Sequence, residues 1–426
     1  GNMKEDTILV KLGEIFRAFD EKTEDNAQLI RDIYTQLKRL LEVATDYGFD
    51  HNLWHNYLTY LLITNENPFS LTCEKVGAND GSVNIFAKND FRVFRNLFFF
   101  DFKPIEEALG IQCFSILSDY KAIGKKELMY NKNVSEKVRN LSEKLETAES
   151  GADFFQYVTE FYKDYGVGMF GLNKAFRIAE NKDGSIRFLP INNMDTVMLD
   201  DLIGYELQKK KLVENTQAFC DGKAANNVLL FGDSGTGKST SIKAIVNQFY
   251  PQGLRMIEIY KHQFKDLSTI IAQIKNRNYK FIIYMDDLSF EEFEIEYKFL
   301  KAVIEGGVET KPDNVLIYAT SNRRHLIKET WKDREDMEHS EDLHRSDTME
   351  EKLSLVNRFG LSIFYAKPNK EGFNEMAVAL ARRAGITPEV MSDEEICYEA
   401  NRFEMRGGGL SGRTAQQFAN YLPTIK

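Results

Sequence analysis

Only four cysteines, Cys73, Cys113, Cys220 and Cys397, occur in 426 residues. They lie far apart and share no metal-ligand spacing, which excludes a disulfide framework or a cysteine-bound zinc as the organising feature. They read as reduced core thiols, and that reading predicts a cytoplasmic protein. No apolar run reaches the roughly 18–20 residues of a membrane span, so no membrane partner is expected. The opening stretch GNMKEDTILV has no apolar leader segment, and Gly1-Asn2 ahead of Met3 looks like a truncation or a cloning remnant. Positive charge is in the minority, with 55 Lys and Arg against 65 Asp and Glu, a net −10. That balance argues against a nucleic-acid coat, although a local basic groove would not show in a sum. No repeat or low-complexity segment stands out. The 43% hydrophobic and 12% aromatic content is that of a globular chain, and its length predicts two or three domains.

The front of the chain reads as helical. Leu29, Ile30, Ile33, Leu37, Leu40, Leu41 and Ala44 recur at steps of three and four, one face of an amphipathic helix. The run FRVFRNLFFFDF at 91–102 reads as core or interface rather than a base-stacking platform. His51 and His55 stand four apart, but no third ligand accompanies them and a metal site is not expected. At 175–191 apolar and polar residues alternate on both sides of Asp183-Gly184, a hairpin signal. Short apolar runs then follow at 227–232, 255–260, 280–287, 314–322 and 361–366, separated by helical stretches. Such strands with helical crossovers predict an α/β fold with a parallel sheet covered on both faces. Helices are expected again at 372–384, 392–402 and 411–422. The boundaries expected are a mainly helical domain at 1–170, a hairpin linker at 171–198, an α/β core at 199–367 and a C-terminal helical region at 368–426. The charge-dense stretch 331–352 and the basic clusters Lys209-Lys210-Lys211 and Arg323-Arg324 read as solvated faces.

One motif carries chemistry. GDSGTGKS, from Gly232 through Asp233, Ser234, Gly235, Thr236, Gly237 and Lys238 to Ser239, matches G-x-x-x-x-G-K-[ST] in full. It follows a predicted strand and opens a predicted helix that continues through Thr240, the context a phosphate-binding loop requires. Gly235 and Gly237 let backbone N–H groups converge on phosphate oxygens, and the helix N-terminus favours negative charge. Lys238 is expected to reach the β- and γ-phosphates of ATP, and Ser239 to offer a hydroxyl to Mg²⁺. The run IIYMDDL ends in two adjacent carboxylates, costly to bury unless compensated. An acid at the carboxyl end of a parallel strand faces the ligand crevice. Asp286 is therefore the expected Mg²⁺ partner, beside Ser239, and Asp287 the expected acid for an attacking water.

Together these residues resemble the AAA+ superfamily over about 199–426, and the phrases DDLSFE and ATSNRRHL resemble an uncharacterised bacterial group of predicted AAA+ ATPases. The resemblance implies a P-loop sheet with a C-terminal helical lid, ATP and Mg²⁺ as cofactors, and ATP hydrolysis coupled to remodelling of a protein or nucleic-acid client. It makes DLIG, with Ile203 and Gly204, the element that closes over adenine. Asn322 falls in the place of the sensor-1 residue, Arg358 in the place of an arginine finger, and Arg413 in that of the sensor-2 arginine. A finger acting in trans implies a homo-oligomer. Two departures stand out. The family often has Glu where this chain has Asp287, and the segment 259–271 has Phe264-Lys265-Asp266 without the glycine of a threading loop. A switch- or loader-like ATPase is thus expected ahead of an unfoldase. The alternative is a nucleotide-regulated binding module with little or no turnover. A GTPase or small-molecule kinase is a weaker third reading, since NKDG at 181–184 precedes the loop and no acceptor pocket is visible.

Overall fold

The computed structural model describes residues 6–77, 82–122, 132–191, 194–289, 295–306, 312–322 and 355–425. The chain divides into two compact units at Asn173/Lys174.

The first unit is helical among its described residues. Its helices are α1 (Ile8–Glu21), α2 (Asn26–Tyr47), α3 (Leu53–Thr64), α4 (Pro68–Val76), α5 (Ser82–Phe98), α6 (Lys103–Leu109), α7 (Cys113–Ser118), α8 (Lys132–Glu146), α9 (Gly151–Tyr165) and α10 (Gly168–Leu172). The Asp25 carboxylate starts α2 by accepting the Gln28 N–H, and Leu29, Ile33, Leu37, Leu40 and Ala44 form its buried face. Leu41 and Ile30, on the flanks of that stripe, are not fully buried. The aromatic run is spent mostly on packing. Phe91 and Phe98 are buried, and Phe102 stacks on Phe114 with centroids 4.2 Å apart. His55 lies flat against Phe98 at 3.7 Å, and its ring nitrogens contact Glu146 Oε1 at 2.9 Å and the Phe98 carbonyl at 2.7 Å. His51 is exposed and faces Asp50 instead, so the two histidines share no ligand.

The second unit is built on a seven-stranded sheet ordered β2-β1-β4-β5-β6-β3-β7. Its strands are β1 (Ala175–Glu180), β2 (Ile186–Pro190), β3 (Val228–Gly232), β4 (Leu254–Ile259), β5 (Lys280–Met285), β6 (Val315–Ser321) and β7 (Leu361–Tyr365). All neighbours run parallel except β1 and β2. Strands β3 and β6 are buried throughout, the burial of a sheet covered on both faces. Helices α11 (Glu206–Cys220), α12 (Lys238–Phe249), α13 (Leu267–Ile274) and α14 (Ile295–Glu305) serve this sheet. Helices α15 (Lys370–Arg383), α16 (Asp393–Met405) and α17 (Gly412–Ile425) follow as the C-terminal helical region. The lid has its own apolar cluster around Phe373, Met376, Ile396, Phe418 and Leu422. This is the AAA+ type of architecture: the phosphate-loop strand and the acid-bearing strand are separated by β6, and a helical lid follows the sheet.

The hairpin at 175–190, expected as a linker between domains, is instead part of this sheet. Ala175 and Phe176 pair in parallel with Met256 and Ile257 of β4. The pairing uses backbone groups that β4 would otherwise leave open, which is why the hairpin docks rather than bridging. It also ties down the segment after β4, because Gln263 Nε2 donates to the Ile178 carbonyl at 3.0 Å. Phe264 is buried and meets the Tyr297 ring edge-on. Of the other sequence features, 331–352 and Arg323-Arg324 lie outside the described residues.

Gly232 ends β3 with φ 138°, and a Cβ there would stand 2.2 Å from the Tyr365 carbonyl oxygen. Gly232→Ala is therefore expected to lower folding stability by at least about 2 kcal/mol, through overpacking against backbone plus a strained φ. Urea unfolding of the variant beside the parent checks this.

Candidate functional site

The strand order sets up the site. Strands β3, β5 and β6 end at the same edge of the sheet, so the loop after Gly232, the acids after Met285 and the residues ending β6 converge there. The loop turns through Gly235 at φ 74° and Gly237 at φ 92°, left-handed values that need glycine and turn successive N–H groups inward. Helix α12 then starts at Lys238, with its positive dipole end at the loop. Asp233 closes the base of the loop. Its N–H donates to the Tyr365 carbonyl at 3.0 Å, and its Oδ2 accepts the Lys367 N–H at 2.7 Å. Lys238 Nζ donates to the Asp233 carbonyl at 2.5 Å. Burial pushes the Lys238 ammonium below the usual lysine range, against the opposing pull of Asp233, Asp287 and Asp286.

The two carboxylates part company. Asp286 Oδ1 accepts three hydroxyls, from Ser239 at 2.7 Å, Thr320 at 2.7 Å and Tyr284 at 2.8 Å. Burial disfavours its charge, but these donors outweigh burial and hold its carboxyl below the usual range. Asp287 leaves the strand at φ 55°. Its N–H donates to Thr320 Oγ1 at 2.9 Å, and its Oδ1 accepts Asn322 Nδ2 at 3.0 Å. Burial raises the Tyr284 phenol, which keeps it a donor.

A cleft of about 950 Å³ runs from these acids to the lid. Its lining combines polar groups, among them the loop from Ser234 to Thr240, Asp286, Asp287, Asn322 and Arg383, with the apolar Leu202, Ile203, Met376 and Leu380. The size and the mixed lining suit a nucleotide, whose phosphates and base ask for different surroundings. The C-terminal helical region borders the cleft at two places. The Arg413 N–H donates to the Gly235 carbonyl at 3.2 Å, which puts the first turn of α17 on the phosphate loop. Gly204 takes φ 82°, with the Met376 methyl 3.2 Å from the position of a Cβ.

Most of the residues expected from the sequence line this one cleft. Gly204 is not part of its lining, and Gly232 and Asp233 form the floor of the loop rather than the wall. Arg358 is not in the cleft: it precedes β7 and pairs with Glu305 at 3.9 Å.

Several residues went unread. Thr320 and Tyr284 sit in apolar strands, where they look like packing. Arg383 of α15 donates to the carbonyls of Asp200 and Asp201 and lines the cleft, although its sequence shows only an ordinary helix-end arginine. Lys209, read as part of a solvated basic face, is buried. It donates to the Leu202 carbonyl at 2.7 Å and pairs with Glu206 at 3.0 Å. Its burial follows from its place on the inner face of α11, one turn in from Tyr205; Lys210 and Lys211 point outward.

Comparison with known proteins gives three results. The family model described as a protein of unknown function, DUF815, matches residues 172–424. No curated protein matches. Among solved structures, Thermotoga maritima RuvB T158V is similar at 15% identity and TM-score 0.33, over 53% of this chain and 72% of that one. C. elegans PCH-2 is similar at 18% identity and TM-score 0.36, over 54% of this chain and 65% of that one. Among the described residues no helix is long and apolar enough to cross a membrane. Matched by the family model from the hairpin to the last helix, the chain belongs to the DUF815 family.

Proposed function

We propose that the chain is a Mg²⁺-dependent ATPase that couples hydrolysis to a conformational change imposed on a partner. The observation that carries this is the 2.7 Å contact between Ser239 Oγ and Asp286 Oδ1. It joins the hydroxyl that ends the phosphate loop to a carboxylate kept ionised by its donors. Both are hard oxygen ligands from separate elements, Ser239 in the first turn of α12 and Asp286 just after β5, and among the described residues no cluster of three or more His, Cys, Asp or Glu side chains could hold a metal by itself. That donor set fits Mg²⁺, which binds through one or two protein oxygens and completes its shell with water and phosphate. When bound, Mg²⁺ supplies neutralisation of charge on the β- and γ-phosphates.

The chain's own residues do the rest. The loop N–H groups and Lys238 hold the phosphates. Asp287 takes a proton from the attacking water, and Asn322 holds the Asp287 carboxylate and that water in line. Arg413 meets the γ-phosphate from the lid, and Arg358 reaches the nucleotide of a neighbouring copy. Ile203 and Gly204 cover adenine. The burial of Phe264 and the tether from Gln263 to Ile178 support a switch or loader over a machine that threads a polypeptide, since they hold Phe264 in the core.

Steady-state phosphate release from MgATP tests the reading. Lys238→Ala is expected to weaken ATP binding by about 10- to 100-fold, the worth of a hydrogen bond to a charged group at about 1.5–3 kcal/mol, and to remove the release. A parent chain that releases no more phosphate than Lys238→Ala would leave only a nucleotide-regulated binding module.

A further inference from the structure

We propose that Thr320 is the positioning residue of the hydrolytic site, fixing both acids of the pair through one hydroxyl. The inference rests on the ATPase reading above and deepens it. Thr320 stands second to last in β6 and is 2% exposed. A hydroxyl has one hydrogen and two lone pairs. Here the hydrogen goes to Asp286 Oδ1 at 2.7 Å, and a lone pair accepts the Asp287 N–H at 2.9 Å. The Thr320 carbonyl then accepts the Leu288 N–H at 2.7 Å. One residue thereby holds three consecutive positions as the chain leaves β5.

The middle position is the one that needs holding. Asp287 has φ 55°, left-handed backbone that residues other than Gly, Asn and Asp rarely adopt. Such a conformation persists only where its surroundings over-determine it. The turn it makes carries the side chain back toward β6, where Asn322 Nδ2 meets Oδ1 at 3.0 Å. The same turn accounts for Asp in place of the longer Glu, because a short Asx side chain is the charged option that tolerates this backbone. Without the Thr320 hydroxyl, the Asp287 N–H loses its acceptor and Asp286 loses one of three donors. The metal-side acid still has Ser239 and Tyr284; the water-side acid has no comparable replacement for its backbone anchor. The loss therefore falls on the chemical step rather than on nucleotide binding.

The test compares Thr320→Val, which keeps the shape and removes the hydroxyl, with Thr320→Ser, which restores it. Phosphate release, ATP affinity and thermal midpoint are read for each, alone and in an Asp287→Asn background. Thr320→Val is expected to lower kcat by about 10²-fold, the scale of a misplacement near 1 Å, with KM and ATP affinity within about threefold. Thr320→Ser recovers most of the rate. In the Asp287→Asn background the valine costs little more, because both changes remove one function. Parent-like kcat in Thr320→Val overturns the inference and leaves the ATPase reading standing. So does a parallel fall of kcat, ATP affinity and midpoint that serine does not repair, since that is a packing defect. A parent chain without Lys238-dependent phosphate release overturns both.

Discussion

Arg358→Ala is expected to lower steady-state phosphate release by about 10³-fold, the scale of an arginine finger in phosphoryl transfer, and to leave ATP affinity nearly unchanged. The geometry of a single chain supplies the reason. Val228 to Gly232 of β3 pair in parallel with Leu361 to Tyr365 of β7. The phosphate loop leaves the carboxyl end of that pair, and Arg358 precedes its amino end. Five strand residues, four steps of about 3.3 Å, put about 13 Å of sheet between the two levels, more than an arginine side chain spans. Arg358 cannot serve its own loop. Its half-exposed side chain, paired with Glu305 at 3.9 Å, is accessible from outside the chain, as the proposed role toward a neighbouring copy requires. That ion pair is itself worth less than about 1 kcal/mol, so folding stability hardly moves in the variant.

A mixing experiment separates a finger in trans from a simple loss of fold. Arg358→Ala chains keep a working loop, and Lys238→Ala chains keep a working finger. Combined, they are expected to regain phosphate release at interfaces where the intact Arg358 meets the intact loop. Sizing with an ATP analogue is expected to show the same oligomer for Arg358→Ala as for the parent. No recovery on mixing, with oligomers of normal size, would reduce Arg358 to a surface ion pair.

The site divides by how far apart in the chain its parts are chosen. The phosphate loop was legible because its needs are local: Gly235 and Gly237 must turn left-handed, and Lys238 and Ser239 must open a helix. The parallel strands were legible because burial on both faces demands unbroken apolar runs, and the α/β core with its helical lid followed. Thr320 was not legible. Its role exists only because β6 lies next to β5 in a register that pairs Met285 with Ala319, and nothing near position 320 announces a partner 33 residues away. Arg383 escaped for the same reason, since its acceptors are backbone carbonyls that no side-chain pattern marks, and the bond from Lys209 to the Leu202 carbonyl is equally unmarked. The hairpin was recognised as a hairpin but misplaced, because two-residue periodicity reports pairing within it and is silent on the edge of β4. What remained hidden in each case was a choice of neighbour, which depends on the whole sheet.

Asp287→Asn is expected to bind ATP as the parent does and to release phosphate about 10²–10⁴-fold more slowly, the contribution of a positioned general base. The substitution is unusually clean. Asn is among the few residues enriched at positive φ, so φ 55° and the hydrogen bond to Thr320 Oγ1 survive, and the amide oxygen can still accept from Asn322. Only the carboxylate's capacity to take a proton is removed. Asp287→Glu makes the opposite change, keeping the charge and adding the methylene that related ATPases often carry. If the shorter acid merely limited reach, the glutamate would speed turnover. Because the left-handed backbone disfavours a longer side chain, glutamate is expected to slow it instead, with ATP affinity unchanged. Normal release by Asp287→Asn would remove Asp287 from the proton path. Faster release by Asp287→Glu would show that side-chain length, and not the turn held by Thr320, governs where the water sits.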